Sequence, residues 1–256
     1  MPIDLAALRD HLISAAQEAG TAIMAFYGSD FAATRKADQS PVTEADVAAE
    51  KLILAALQKC APDIPAIAEE QAALEGVPQQ IPHCFFLVDP LDGTREFVAR
   101  NGEFTVNIAL IENGMPILGV VYLPALDEMY AGYEGGDAIR RKGGRTQAIT
   151  ARTIPERGAI MTISRSHAAK ELVKAETLGE HVVGTIVAGS SLKFCRIAEG
   201  AADLYPRFGP TMEWDTAAGH AVLTAAGGSV ATLDGAPLLY GKAGLRNPHF
   251  IARGRR

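Results

Sequence analysis

The run Cys84-Phe85-Phe86-Leu87-Val88-Asp89-Pro90-Leu91-Asp92-Gly93-Thr94 constrains this chain more than any other stretch. Largely apolar residues ending in an acid predict a buried strand that delivers a carboxylate to its mouth. Pro90 cannot continue a ladder and Gly93 permits a tight turn, so the chain is expected to change direction there. Asp89 and Asp92 then converge, with a backbone carbonyl between them and the Thr94 hydroxyl beside them. Such an all-oxygen arrangement suits a hard cation of the Mg²⁺ kind. An Asx-turn closing a core strand accounts for the same residues, and the stretch by itself does not separate the two.

Composition narrows the setting. At 256 residues with 48% hydrophobic and 21% charged, the chain can bury a substantial core, as one large domain or two closely packed halves. A net charge of −6 argues against general binding to nucleic acid or anionic lipid. A phosphate substrate would then need bound cations or local Lys and Arg. Cys60, Cys84 and Cys195 have no pairable or metal-like spacing and read as reduced core residues. No signal peptide opens the sequence and no apolar run reaches membrane-spanning length, so a cytoplasmic protein is expected.

Along the chain, Leu5, Leu8, Leu12, Ala16, Ala19, Ile23 and Phe26 recur at helical spacing, with Asp4 as N-cap and Gly28 near the end. A polar loop from Thr34 to Pro41 precedes a second helix, from about Thr43 to Cys60, where Thr43-Glu44-Ala45-Asp46 resembles a capping box. Ile64 to Ala68 reads as a strand ending in Glu69-Glu70, which a solvated acidic turn would also explain. Phe104–Ile111 and Ile117–Leu123 flank Asn113-Gly114, a strong hairpin signal. Glu128–Tyr133 and Ala138-Ile139 extend it as a meander. Arg140-Arg141-Lys142 and Arg253 to Arg256 read as solvated surface.

In the second half, strands are expected at Ala159–Ile163, running into Ser164-Arg165-Ser166-His167 and a helix, at Val182–Val187 and at Asp203–Arg207. Gly189-Ser190-Ser191 opens a helix over Leu192–Ala198. Its N–H groups and hydroxyls would make a phosphate cradle, with Lys193 in the first turn; serine N-capping is the plain alternative. Trp214-Asp215-Thr216 opens a small-residue helix running to Gly227-Gly228, where Asp215 could serve as a cap.

Asp46, Glu69, the Asp89/Asp92 pair and Asp215 therefore all fall at strand mouths or helix starts. Each has a capping explanation, yet all being coincidental caps is far less economical than one shared site. Clustered, they would hold two or three Mg²⁺ ions and support direct attack of an activated water on a phosphate ester. No P-loop accompanies them, which argues against a kinase or NTPase.

Asp89-Pro90-Leu91-Asp92-Gly93-Thr94, Glu69-Glu70 and Trp214-Asp215-Thr216-Ala217-Ala218-Gly219 resemble the signature motifs of the lithium-sensitive inositol monophosphatase superfamily, and the likeness runs over nearly the whole chain. Arg95-Glu96-Phe97 with Arg100–Asn107, Ser164–His167, Gly189–Cys195 and Leu204–Pro210 resemble its CysQ-type 3′(2′),5′-bisphosphate nucleotidase branch.

The resemblance implies an α/β protein of alternating helix and sheet layers. It also implies a single domain over 1–256, with a metal-bearing half (about 1–155) and a nucleotide-pocket half (about 156–256). Glu69, Asp89, Asp92, Asp215 and the Leu91 carbonyl would ligate Mg²⁺. Thr94, held by Asp46, would with Glu69 position and deprotonate the attacking water. Gly93 and Thr94 would meet the scissile phosphate, and His167, Ser190, Lys193 and Arg207 the second phosphate and sugar. Ala68 departs from the pattern, where Ser or Gly usually precedes the Glu pair.

The implied reaction is Mg²⁺-dependent, Li⁺-sensitive hydrolysis of adenosine 3′,5′-bisphosphate to AMP and phosphate. Activity on 3′-phosphoadenylyl sulfate would tie it to sulfate assimilation. Inositol monophosphate or fructose 1,6-bisphosphate as substrate, and a non-catalytic nucleotide sensor, are the rival readings. The expected partner is a small nucleotide. A monomer is the default, and peripheral membrane association is conceivable for such a family.

Overall fold

A computed structural model of the chain describes residues 3–28, 34–35, 41–42, 44–165, 179 and 181–255. Helix α1 (Leu5–Tyr27) starts as the sequence predicts, with the Asp4 carboxylate accepting from the N–H groups of Ala6 and Ala7 at 3.1 and 3.0 Å. After a short antiparallel pair, β1 (Thr34–Arg35) and β2 (Pro41–Val42), comes α2 (Glu44–Cys60). Thr43, which would complete the capping box, lies outside the described residues. Leu8, Leu12, Ile23, Ala49, Ile53 and Leu57 are buried where these two helices meet each other and the first sheet.

That sheet has seven strands in chain order: β3 (Ala66–Ala68), β4 (Cys84–Asp92), β5 (Thr105–Glu112), β6 (Met115–Leu123), β7 (Glu128–Tyr133), β8 (Ala138–Lys142) and β9 (Arg145–Ile149). β3 runs parallel to β4 and every later pairing is antiparallel. Side chains alternate across its faces. Phe86, Val88, Ile108, Leu110 and Val120 meet α1 and α2, while Phe85, Leu87, Ala109, Ile111 and Val121 face the opposite layer. Each fully buried Phe, Leu or Ile there contributes roughly 1.5–3 kcal/mol. At the β5–β6 turn Asn113 and Gly114 take φ of 50° and 80°, the left-handed pair that an Asn-Gly hairpin turn requires.

Two expectations change. β4 does not stop at Asp89: pairing with β5 breaks after Asp89 and resumes at Asp92 opposite Thr105. Pro90 and Leu91 form an irregularity inside one strand, where a residue without an N–H is tolerated. Arg140 and Lys142 are not merely solvated, because both pair with the fully buried carboxylate of Glu128, at 2.8 and 3.0 Å. The meander also gains β9, an exposed edge strand that apolar alternation could not reveal.

The second sheet has five strands in the order β11-β10-β12-β14-β13: β11 (Val182–Val187), β10 (Ala159–Ile163) and β12 (Leu204–Arg207) run parallel, then β14 (Phe250–Arg253) and β13 (Ser229–Thr232) antiparallel. Between the sheets lie α5 (Leu192–Ala198) and α6 (Ala217–Ala225), after the short α3 (Glu69–Glu75) and α4 (Thr94–Val98). Phe194 of α5 packs edge-on to Tyr205 and stacked on Phe250, at 5.1 and 5.8 Å, in one core with Leu87, Ile111 and Val121 of the first sheet. α6 lies so close to β6 that a Cβ at Gly119 would fall 2.4 Å from the Ala218 carbonyl oxygen. The three cysteines are free, Cys195 buried and the others half-buried. No described helix is long and apolar enough to cross a membrane.

Candidate active site

β3 ends at Ala68 beside Val88 of parallel β4, so Glu69 emerges next to Asp89, which β4 carries one residue further on. β3 delivers Glu69 as the first residue of α3. Ala68 at that N-cap has no side chain to satisfy the helix's free N–H groups. Glu50 of α2 does so instead, accepting from Glu70 and Gln71 at 2.7 and 2.9 Å. Burial raises the Glu50 pKa, and those two donated bonds pull it back. β4 delivers Asp89, whose carboxylate accepts from the Leu91 N–H at 3.1 Å. The turn before α6 supplies Asp215, held by the Met212 N–H at 2.8 Å. Carboxylate oxygens of Glu69, Asp89 and Asp215 all lie within 4.8 Å of one another.

Asp92 is tied across to the second half of the chain. Its carboxylate accepts from the Ser191 N–H at 2.8 Å and its carbonyl from the Ser190 hydroxyl at 2.9 Å. Ser190 takes a left-handed φ of 49° in making this turn. Gly93, with φ of 92°, lies so near that any Cβ would fall on the Ser190 hydroxyl oxygen. The Ser191 hydroxyl donates to the Asp215 carbonyl at 2.6 Å, and the Gly189 N–H to Glu103 at 3.0 Å. The Gly189-Ser190-Ser191 turn is therefore not the open phosphate cradle its composition suggests. These donors are already spent on holding the acidic residues in place.

Crowding sets the charge of the cluster. Burial pushes the Asp89 carboxyl well above its usual range, and Glu69, Asp92, Asp215 and Asp46 push it further. Asp215 is likewise raised by burial, then by Asp92 and Glu69, with the Met212 N–H and Arg207 opposing. Asp92 is raised to about 6 by burial, although Lys193 and the Ser191 N–H lower it. Carboxylates so close repel one another unless protons or a cation intervene. Their hard oxygen donors fit a divalent cation of the Mg²⁺ type. The orphaned Asn107 amide, buried on β5 directly opposite Asp89, fits a site completed by a further polar group.

Among the other expected residues, Asp46 is buried in the first turn of α2 and close enough to raise Asp89. The half-buried Thr94 opens α4, and its hydroxyl makes no hydrogen bond among the described residues. Leu91 is buried within the β4 irregularity. His167 lies outside the described residues.

Beside the acids opens a cavity of about 190 Å³ lined by Asp92, Gly93, Ser190, Lys193, Arg207 and Asp215. Lys193 is buried, donating to the carbonyls of Ser190 and Ala188 at 2.8 and 3.3 Å, with its ammonium 5.3 Å from the Tyr205 ring centre. Arg207 donates to the Pro210 carbonyl at 3.1 Å. Arg95 and Arg165 also line this cavity, the latter paired with Glu103 at 2.7 Å. Sequence reasoning missed these two arginines as site residues, as it missed Glu50 and Asn107. The signal for Glu50 was the uncapped Ala68, which demanded an acceptor from elsewhere.

An acidic cluster at strand mouths, opening on a cationic cavity between two sheets, is the arrangement that the signature motifs imply. The inositol monophosphatase family model matches residues 4–253, and the chain belongs to that family. Within it, the chain is similar to the 3′(2′),5′-bisphosphate nucleotidase CysQ of Shigella flexneri, with 50% identity over 245 residues, 94% of this chain and 97% of the relative. Its structure resembles that of CysQ from Bacteroides thetaiotaomicron, with a TM-score of 0.82, 38% identity and 98% of each chain covered. It also resembles an inositol monophosphatase from Anabaena, with a TM-score of 0.77, 27% identity and coverage of 99% of this chain and 92% of that one.

Proposed function

We propose that the protein is a metal-dependent 3′(2′),5′-bisphosphate nucleotidase that releases the 3′-phosphate of adenosine 3′,5′-bisphosphate, giving AMP and phosphate. The observation that carries this reading is the juxtaposition of the Glu69–Asp89–Asp215 cluster with a cavity lined by Arg95, Arg165, Lys193 and Arg207. The similarity to nucleotidases over most of the chain supports the same substrate class.

In this reading Glu69, Asp89, Asp92, Asp215 and the Leu91 carbonyl hold two or three Mg²⁺ ions. When bound, Mg²⁺ lowers the pKa of water and neutralises charge on phosphoryl oxygens. Glu69 would take the proton of the attacking water and Thr94 would orient that water toward phosphorus; the hydrogen bond from the Thr94 hydroxyl to Asp46 that the resemblance implies is not formed in this structure. The backbone N–H groups of Gly93 and Thr94 meet the scissile phosphate. Lys193 and Arg207, with His167, bind the second phosphate and the sugar, where charge-assisted bonds add both affinity and orientation, while Ser190 lines the same cavity with its hydroxyl held on the Asp92 carbonyl. Asp92 and Asp215 are each bonded to Ser191, so the two halves act as one unit. A cytoplasmic monomer, Li⁺ inhibition and action on 3′-phosphoadenylyl sulfate belong to the same proposal.

Phosphate release from adenosine 3′,5′-bisphosphate, inositol 1-phosphate and fructose 1,6-bisphosphate, with Mg²⁺ and with or without Li⁺, tests it. Strong preference for the nucleotide, suppressed by Li⁺, is expected. Preference for a sugar ester would overturn the second-phosphate pocket, and no release from any substrate would favour a nucleotide sensor.

A further inference from the structure

Asn107 lies in the middle of β5, fully buried, and neither atom of its amide finds a hydrogen-bond partner among the described residues. Its surroundings follow from the sheet register. Across the ladder it faces Asp89 on β4 and Val121 on β6. Along its own strand the residues on the same face are Thr105 and Ala109. Of these four neighbours only Asp89 and Thr105 carry polar side chains. Thr105 is turned to the next acid, its hydroxyl 3.5 Å from the Asp92 carboxylate. Directly opposed side chains in an antiparallel pair have Cβ atoms about 5 Å apart, so the Asn107 amide and the Asp89 carboxylate share one pocket of the interior. β5 thus sets two polar residues, Thr105 and Asn107, opposite the two acids of β4. A buried amide with no partner is costly to keep, and a leucine would fit the apolar side of this neighbourhood.

We propose that Asn107 is a positioning residue for the cation site: its amide N–H donates to the Asp89 carboxylate oxygen turned away from the cation, directing the other oxygen toward it. The inference rests on the divalent-cation reading above. Partners that orient a ligating carboxylate in this way fix its geometry and its basicity.

Two substitutions in the full-length chain, Asn107→Leu and Asn107→Ala, test this. Calorimetric titration of metal-free protein with Mg²⁺ gives the dissociation constant, and melting in chelator reports the fold. The expected result is Mg²⁺ binding weakened roughly ten- to a hundredfold, with a melting temperature in chelator unchanged or raised for Leu. The Mg²⁺ concentration for half-maximal phosphate release should rise in parallel, while turnover at saturating Mg²⁺ largely recovers; general damage to the fold would not give that pattern. If the bulkier Leu disturbs folding, Ala carries the same readout. A folded variant whose Mg²⁺ dissociation constant stays within about twofold of the parent would overturn the role of Asn107. Failure of the unsubstituted protein to bind Mg²⁺ would overturn the cation reading itself, and this inference with it.

Discussion

The backbone N–H of Ser191 donates to the Asp92 carboxylate at 2.8 Å, joining residues that lie 99 positions apart. The Ser190 hydroxyl reinforces the join on the Asp92 carbonyl. Asp92 is thus both a candidate cation ligand and the fastening between the first sheet and α5. Asp92→Asn keeps the shape and an acceptor for Ser191 but removes the charge. Turnover should fall by more than the roughly 100-fold that loss of an outer-shell partner brings. Melting in chelator should be unchanged or slightly raised, since a crowded acid is removed. Phosphate-release kinetics paired with thermal melts check both.

Lys193→Met keeps the stem under Tyr205 and removes the charge beside the cavity. The Michaelis constant for adenosine 3′,5′-bisphosphate should rise about tenfold, equivalent to about 1.4 kcal/mol. That for a monophosphate of the same nucleoside should barely change. Equal effects on the two would show that Lys193 serves the Ser190 turn and not the second phosphate.

Glu50→Gln leaves α3 with a weaker acceptor at its start. Loss of the charge-assisted bonds to Glu70 and Gln71 should cost about 1–3 kcal/mol of stability, read by urea unfolding. Because the same bonds fix where Glu69 emerges, Mg²⁺ affinity should fall as well. A stability loss with unchanged affinity would separate capping from the site.

The acids predict a specific pH behaviour. The Asp92 carboxyl rises on folding from 3.8 to about 6, so the folded apoprotein binds more protons than the unfolded chain. Its stabilising contribution is full below 3.8 and is lost as pH rises through about 6. A cation needs the opposite, ionised state. The gap between melting temperatures with Mg²⁺ and with chelator should therefore widen as pH is raised from about 5 to about 7.5. A constant gap would show that protons and the cation do not compete.

Glu128 titrates in the other direction. Burial opposes its ionisation, but the Tyr130 hydroxyl and the Lys142, Arg196 and Arg140 charges hold its pKa down to about 2. Its contribution is present above 4.5 and lost as pH falls toward about 2. Glu128→Gln should lower stability at neutral pH by about 3 kcal/mol, the usual cost of breaking a buried pair. It should also flatten the acid limb of the stability curve, without altering Mg²⁺ affinity.

What could be read from the sequence was what is local. Alternation around Asn113-Gly114 fixed a hairpin, and an apolar run ending at Asp89 announced a buried strand with an acid at its mouth. Asp4 capped α1 as its position implied. The relationships that escaped are those between distant residues. Nothing near Ala68 says that Glu50 will cap the next helix, and nothing in Gly189-Ser190-Ser191 says that its donors will be taken by Asp92, Asp215 and Glu103. Pro90 looked like a strand end because a missing N–H is read locally, whereas the ladder resumes two residues later. Arg140 and Lys142 looked solvated because their partner, Glu128, lies on the neighbouring strand.

The convergence of Glu69, Asp89 and Asp215 also has a consequence for biosynthesis. Two of the three acids leave the ribosome early, at the start of α3 and on β4, while Asp215 follows only after α5 and β12 have been made. A nascent chain halted before that point presents isolated carboxylates and no closed cluster. Capture of the cation, and with it reactivity toward cellular phosphate esters, is deferred until nearly the whole polypeptide has emerged and its two sheets have met.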